Sequence, residues 1–230
     1  MSYAIYCYFK RNNCVCTFLE LRIWRYFMIS KENKKIILAS SSPRRKEMFQ
    51  ASGIPFEINV ANIDEKPKEN EGGHDYVQRN AKEKGLAVCK KYNQNEFILS
   101  ADTIVVTKDD KILEKPLNEN QAREMLQNLS GNTHLVLSSY CIFQNNKELI
   151  SRIVETFVTF RVLSENEINS YIKTKEPFDK SGAYGIQGRA MGFIHSISGS
   201  YTNVMGLPLS EVLMDLKHFA GVESFSSFDH

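Results

Sequence analysis

Four short stretches of the chain gather residue types that can do chemistry. The first, Leu38–Arg45 (LASSSPRR), runs an apolar segment into a serine-rich turn, and the turn opens a helix carrying two arginines. Free amides at a helix start, the positive end of its dipole, hydroxyls and guanidinium groups together make an anion site. A well-capped helix with solvated arginines reads the same way, because serine before proline is a common helix opening. The second, Ser100-Ala101-Asp102-Thr103, sets an aspartate inside the apolar run Phe97–Val106 (FILSADTIVV). A carboxylate there is costly unless it is paired, hydrogen-bonded or metal-bound. Placed so, it can orient a divalent cation or take a proton from water. A sheet-edge aspartate facing solvent is the plainer reading; the apolar flanks favour the functional one. The third is Glu114-Lys115-Pro116, and the fourth is Glu176–Gly188 (EPFDKSGAYGIQG), which mixes acid, base, amide and glycine. Its glycines allow close backbone approach to a ligand, and Gln187 presents a donor and an acceptor side by side. A plain surface loop has a similar composition, so no stretch decides the matter alone.

The elements that must hold these residues follow from periodicity and punctuation. Lys35–Ser40 reads as a strand, and Ser42 with Pro43 caps and opens a helix over Arg44–Ser52 that Gly53 ends. Phe56–Val60 alternates as a strand, a polar loop spans Asp64–Gly73, and a helix runs over about His74–Tyr92. Phe97–Val106 is the most strand-like segment, and Asp109-Asp110-Lys111 turns it into Ile112-Leu113. Asn118 caps a helix to Leu129. Two long strands near Thr133–Phe143 and Leu149–Val162 are joined through Asn145-Asn146. Ser164 with Glu167 makes a capping box for a helix through Ile172. A strand near Phe193–Ile197, a glycine-rich turn and a last helix from Pro208 to about Phe219 complete the pattern. Helix–strand alternation with long hairpins implies α/β with a mixed sheet, of undetermined strand order.

Composition excludes several classes. The 230 residues are 42% hydrophobic and 24% charged, and 29 basic against 27 acidic side chains leave a net charge of +2. No global field therefore marks a nucleic-acid or membrane-surface binder, and no apolar run reaches the ~18–20 residues of a membrane helix. Five scattered cysteines form no disulfide framework, and the five histidines are isolated, so no histidine-based metal site is expected. Residues 1–28 stand apart: they are rich in aromatics and hold three of the cysteines, and Lys10, Arg11, Glu20, Arg22 and Arg25 interrupt every apolar stretch. They are expected to be an extension from a misassigned start upstream of Met28, or a poorly folded appendage, and not a membrane anchor. Residues 29–221 are read as the functional domain and 222–230 as a flexible tail.

Taken in series, LASSSPRR, Asp64-Glu65, Asn80–Gly85 (NAKEKG), SADTIV, EKP, EPFDKSGAYGIQG and Gly206–Leu209 (GLPL) resemble the Maf family of nucleotide pyrophosphatases. The resemblance covers roughly Lys35 to Phe219. It implies an inosine-triphosphatase-like fold: an elongated mixed sheet with surrounding helices, and two lobes with a central cleft. It implies hydrolysis of a nucleoside triphosphate to monophosphate and pyrophosphate with Mg²⁺ or Mn²⁺. Asp102 matches the family's proton acceptor, and Arg44, Thr103 and Gln187 match its specificity positions. Ser40, Arg45, Lys84 and Lys115 are carried over as phosphate-binding residues, and Glu65 with Asp102 as metal ligands. The loop Asp179–Gly188 resembles the dTTP/UTP branch, with Ser181 where alanine is usual. Gly85 stands where the family commonly has alanine, a change expected to loosen Lys84, since glycine inside a helix costs ~1 kcal/mol. A cytoplasmic homodimer binding neither nucleic acid nor membrane is implied by the resemblance. Two alternatives stay open with it: a regulator of septum formation acting through partner binding, and a house-cleaning enzyme for modified pyrimidine nucleotides.

Overall fold

The computed structural model describes residues 34–92 and 95–225. The aromatic N-terminal stretch and the last five tail residues lie outside them. Of the tail, Phe225 lies close to the first helix, its amide donating to the Ser52 carbonyl at 2.7 Å.

The four-residue apolar run Ile36–Ala39 forms β1, fully buried, and Pro43–Gln50 forms α1 with Ser42 as its cap. Next come β2 (Phe56–Ile58), α2 (Gly73–Cys89), β3 (Phe97–Val106) and β4 (Ile112–Leu113). Then follow α3 (Glu119–Leu129), β5 (Thr133–Gln144), β6 (Lys147–Phe160) and α4 (Glu165–Lys173). After three 3₁₀ turns come β7 (Ile194–Ser198), the short α5 (Tyr201–Val204) and α6 (Leu209–Ala220). Local chemistry sets several boundaries. Asn145 and Asn146 both take left-handed φ angles, 54° and 59°, which is what a two-residue hairpin between twisted strands needs. Ser164 and Glu167 close a reciprocal capping box at the start of α4. The α5 helix falls where only a turn was expected; at four residues it is too short to show a period, and the Ser200 hydroxyl caps it.

The sheet order is β2-β1-β3-β5-β6-β7, with β4 beside β3. The β1 strand is parallel to both β2 and β3, while the β3–β4, β3–β5, β5–β6 and β6–β7 pairs are antiparallel, so the sheet is mixed. The 14 residues of β6 span about 45 Å at roughly 3.3 Å each. Apolar packing divides along β3. Leu99 and Ala101 belong to a core with β1, α1 and α6, whereas Val105 belongs to one with α3, α4 and the late loop. Asp102 and Thr103 stand at the division. Cys89 and Cys141 are buried free thiols, each pushed up to about 11 by burial, which leaves them poorly reactive. No helix of the described residues is long and apolar enough to cross a membrane.

Candidate active site

The site grows from a gap in strand pairing. Along one edge of β3, β1 pairs with Phe97–Ser100 and β4 pairs with Val105 and Val106. Between them, residues 101–104 meet no strand on that edge among the described residues. Their carbonyls are answered by side chains instead: Arg45 Nη1 donates to Ala101 O at 2.9 Å and Ser181 Oγ to Thr103 O at 3.4 Å. Because side chains alternate along a strand, Asp102 and Thr103 face opposite sides of the sheet at this opening.

Asp102 faces α2 and is only 7% exposed. Both its oxygens are held by that one helix. Lys84 Nζ lies 2.7 Å from Oδ1, and the fully buried Asn80 donates from Nδ2 to Oδ2 at 3.2 Å. Residues four apart on a helix share a face, so Asn80 and Lys84 reach the same carboxylate. Lys84 Nζ also lies 2.8 Å from Glu65 Oε2, so a single ammonium bridges the two carboxylates. The loop carrying Glu65 is fastened to α2. Arg79 grips Glu71 through two bonds of 2.6 and 2.7 Å and donates to Lys66 O at 3.0 Å. The Arg79 contact lowers the Glu71 carboxyl to about 2. The Tyr76 hydroxyl lies 2.7 Å from Glu65 O and 3.0 Å from Glu114 Oε1, tying that loop to the segment that bears Lys115. Burial first, and then the Glu114 carboxylate, raise the Tyr76 phenol.

On the other face, Ser40 is buried, and its hydroxyl accepts from Ser42 N at 3.2 Å and Arg45 Nη1 at 3.3 Å. Arg45 is not a solvated cation. Its guanidinium donates further to Gly206 O at 2.6 Å and Thr103 Oγ1 at 3.1 Å, tying the serine turn, β3 and the segment before α6 together. Burial lowers its pKa, with the Asp102 and Glu65 charges working the other way, and arginine stays charged throughout. Thr103 Oγ1 donates to Gly206 O at 3.1 Å and sits 2.7 Å from Ser138 Oγ. Arg44 is more open, with its side chain 30% exposed, and its Nη1 lies 3.1 Å from Asp179 Oδ2. Burial raises the Asp179 carboxyl, but Lys180 and Arg44 outweigh it and hold the group below its ordinary value.

These side chains surround a cavity of about 580 Å³. Lys115 and Gln187, both exposed, line it, and apolar Tyr184, Ile186, Val204 and Met205 share its wall. The late loop is seated by Gly182, whose φ of 70° and near contact with Val105 admit no side chain. Every residue expected from the sequence at the site therefore borders one cleft. Tyr76, Glu114 and Asp179 border it too, and the buried Asn80 stands behind it on Asp102. Glu114 and Asp179 lie in stretches that the sequence singled out, the i, i+4 spacing of Asn80 and Lys84 was the signal for Asn80, and Tyr76 depends on non-local contacts. The expectation for Gly85 is overturned. A Cβ there would stand 2.2 Å from Phe143 Cε2 and 2.7 Å from Ser100 Oγ, so glycine lets α2 press onto the sheet and seats Lys84 instead of loosening it.

Among the described residues no group of three or more His, Cys, Asp and Glu side chains gathers as a metal site. Glu65 and Asp102, however, share one cationic partner, and Mg²⁺ is commonly held by one or two carboxylates with substrate phosphates supplying the rest. The donor set fits such an ion.

The family described as Maf-like protein matches residues 35–219. A Bacillus cereus (strain ATCC 10987 / NRS 248) protein named dTTP/UTP pyrophosphatase is 46% identical over 186 residues, 81% of this chain and 90% of that one. The protein of the same name from strain AH187 is 46% identical over 186 residues, covering 81% and 96%. Among solved structures, the Ham1 protein of Staphylococcus aureus aligns over 70% of this chain and 92% of its own, with 11% identity and a TM-score of 0.42. With the family's match running from β1 into α6, this chain belongs to the Maf-like protein family.

Proposed function

We propose that the protein hydrolyses dTTP and UTP to the monophosphate and pyrophosphate. The observation that carries the reading is the gap in β3, where a buried aspartate meets a cleft bounded by a helix start and by basic side chains from three other segments. The 46% identity to proteins named dTTP/UTP pyrophosphatase supports the same substrates.

A triphosphate must be neutralised before a nucleophile can approach phosphorus. Lys84, Lys115 and Arg44 supply positive charge around the phosphate tail, with the amides of the Ser40–Ser42 turn at the start of α1. Four of the five Arg45 N–H groups donate to protein oxygens, so its main part is to hold Ser40 and Thr103 in position. Asp102 accepts the proton of the water that attacks the α-phosphorus, and pyrophosphate leaves. Glu65 and Asp102 would hold the divalent cation, which when bound neutralises phosphate charge and makes water more acidic. Gln187 reads the base: uracil and thymine show an N–H between two carbonyls, which a carboxamide answers with one acceptor and one donor. A homodimer in the cytoplasm completes the proposal and rests on the family alone. Modified pyrimidines remain within reach of the same pocket, because one methyl is worth only ~1–3 kcal/mol of discrimination.

The test is pyrophosphate release from dTTP, UTP, CTP, GTP, 7-methyl-GTP and ITP with Mg²⁺, with Mn²⁺ and with EDTA. Metal-dependent release from dTTP and UTP is the expected result. Release from purines alone would discard the role of Gln187, and no release from any substrate would favour a partner-binding regulator.

A further inference from the structure

The position of Lys84 conflicts with the two roles assigned around it. If Lys84 binds phosphate while Glu65 and Asp102 bind the cation, its ammonium should not stand between those carboxylates. Yet it does, at 2.8 Å from Glu65 and 2.7 Å from Asp102, with its side chain only 11% exposed. We infer that the Lys84 ammonium is a built-in stand-in for the divalent cation, filling the gap between Glu65 and Asp102 until a metal–nucleotide complex displaces it onto phosphate. This rests on the reading of the site as one for metal-bound triphosphates.

Three features of the site support the exchange. First, one cation already neutralises two carboxylates, and a second positive ion entering the same gap is repelled by it. Free divalent metal is therefore disfavoured while Lys84 stays. Second, Asp102 does not depend on Lys84 for its aim. Asn80 holds the other oxygen, and the Asn80 amide is itself oriented by Arg79 Nη1, which donates to its Oδ1 at 3.2 Å. When the ammonium leaves Oδ1, the carboxylate remains in place. Third, the displaced group has somewhere to go: Lys84 borders the same cavity as Ser40 and Lys115, and its four-carbon arm can swing while its stem is fixed on α2. A nucleotide supplies the anion that the ammonium follows, so cation and nucleotide enter together and the ligand-free site stays closed to metal.

The experiment is a titration of nucleotide-free protein with Mn²⁺ alone, followed by electron paramagnetic resonance of the free ion. Wild type is expected to bind Mn²⁺ weakly, and Lys84→Met at least about tenfold more tightly, since a neutral side chain no longer occupies the gap. The double variant Lys84→Met/Asp102→Asn should lose that gain. Circular dichroism checks the fold, and Lys84→Gln serves as a second neutral variant should methionine disturb packing. Equal Mn²⁺ affinity in wild type and in a folded neutral variant overturns the inference, as does a gain that survives Asp102→Asn. Failure of the substrate reading looks different: wild type would release no pyrophosphate from pyrimidine triphosphates, whatever the free-metal titration gives.

Discussion

Asp102 is the residue on which the proposed chemistry turns. Its carboxylate is held between a lysine and a carboxamide, and replacing one oxygen by an amide nitrogen keeps its size while removing the proton acceptor. Asp102→Asn is therefore expected to keep the far-ultraviolet circular dichroism of the wild type and to lose at least ~10² in turnover, the usual scale for a general base. Near-normal pyrophosphate release in that variant would take the role from Asp102. Gln187 belongs to the opposite kind of residue. It is exposed on the late loop and touches the base in the proposal, so its contacts form on binding and change little as the phosphorus reacts. Gln187→Ala should then raise KM for dTTP and UTP more than it lowers kcat. Steady-state kinetics on both substrates checks this; an unchanged KM would remove Gln187 from base reading.

The elements differ in how readily the sequence disclosed them, and the difference is physical. Features set by neighbours in the chain were legible: the Ser42 cap, the Asn145-Asn146 hairpin, the capping box at Ser164 and the bounds of β3. Features set by distant pairing were not. The gap at residues 101–104 exists because β1 stops and β4 starts on the same edge of β3, which no local pattern states. The site residues themselves were legible through the order of their motifs, but not the burial of Arg45 or the bridge made by Lys84. Gly85 is the clearest example of the gap between local and tertiary reasoning. By helix propensity alone Gly85→Ala should stabilise by ~1 kcal/mol. Its Cβ would instead enter the ring of Phe143, which is fully buried and has nowhere to retreat. Overpacking of this kind typically costs ~1–3 kcal/mol, so Gly85→Ala is expected to lower the urea midpoint, and Phe143→Leu in the same chain to recover part of the loss. A higher midpoint for Gly85→Ala alone would contradict the close approach of α2 to the sheet.

At the scale of the whole molecule, buried and paired titratable groups set the response to pH. His134 is buried against Phe160 and Tyr184, with Nε2 2.7 Å from the Tyr184 hydroxyl, and Tyr184 lines the cavity. Burial lowers this histidine from 6.5 to about 4, so the folded protein keeps it neutral where the unfolded chain would protonate it. Between those two values the unfolded state binds more protons, and stability must fall as pH falls, by up to roughly 3 kcal/mol for the full shift. Glu71 acts in a lower window. Held by Arg79 at about 2, its stabilising contribution is complete above 4.5 and is lost as pH falls through about 2. Acid should therefore act in two stages: first on the packing of His134 against Phe160 and Tyr184, then on the loop that presents Glu65. Denaturant melts at pH 7, 6, 5, 4, 3 and 2 separate the two. His134→Gln, which has no ring to protonate and can still bond the Tyr184 hydroxyl, is expected to flatten the decline between pH 6.5 and 4 and to leave the loss below pH 4 intact. A decline of unchanged slope in that variant would mean that His134 takes up its proton as readily in the folded protein as in the unfolded chain, and the pH dependence would have to come from elsewhere.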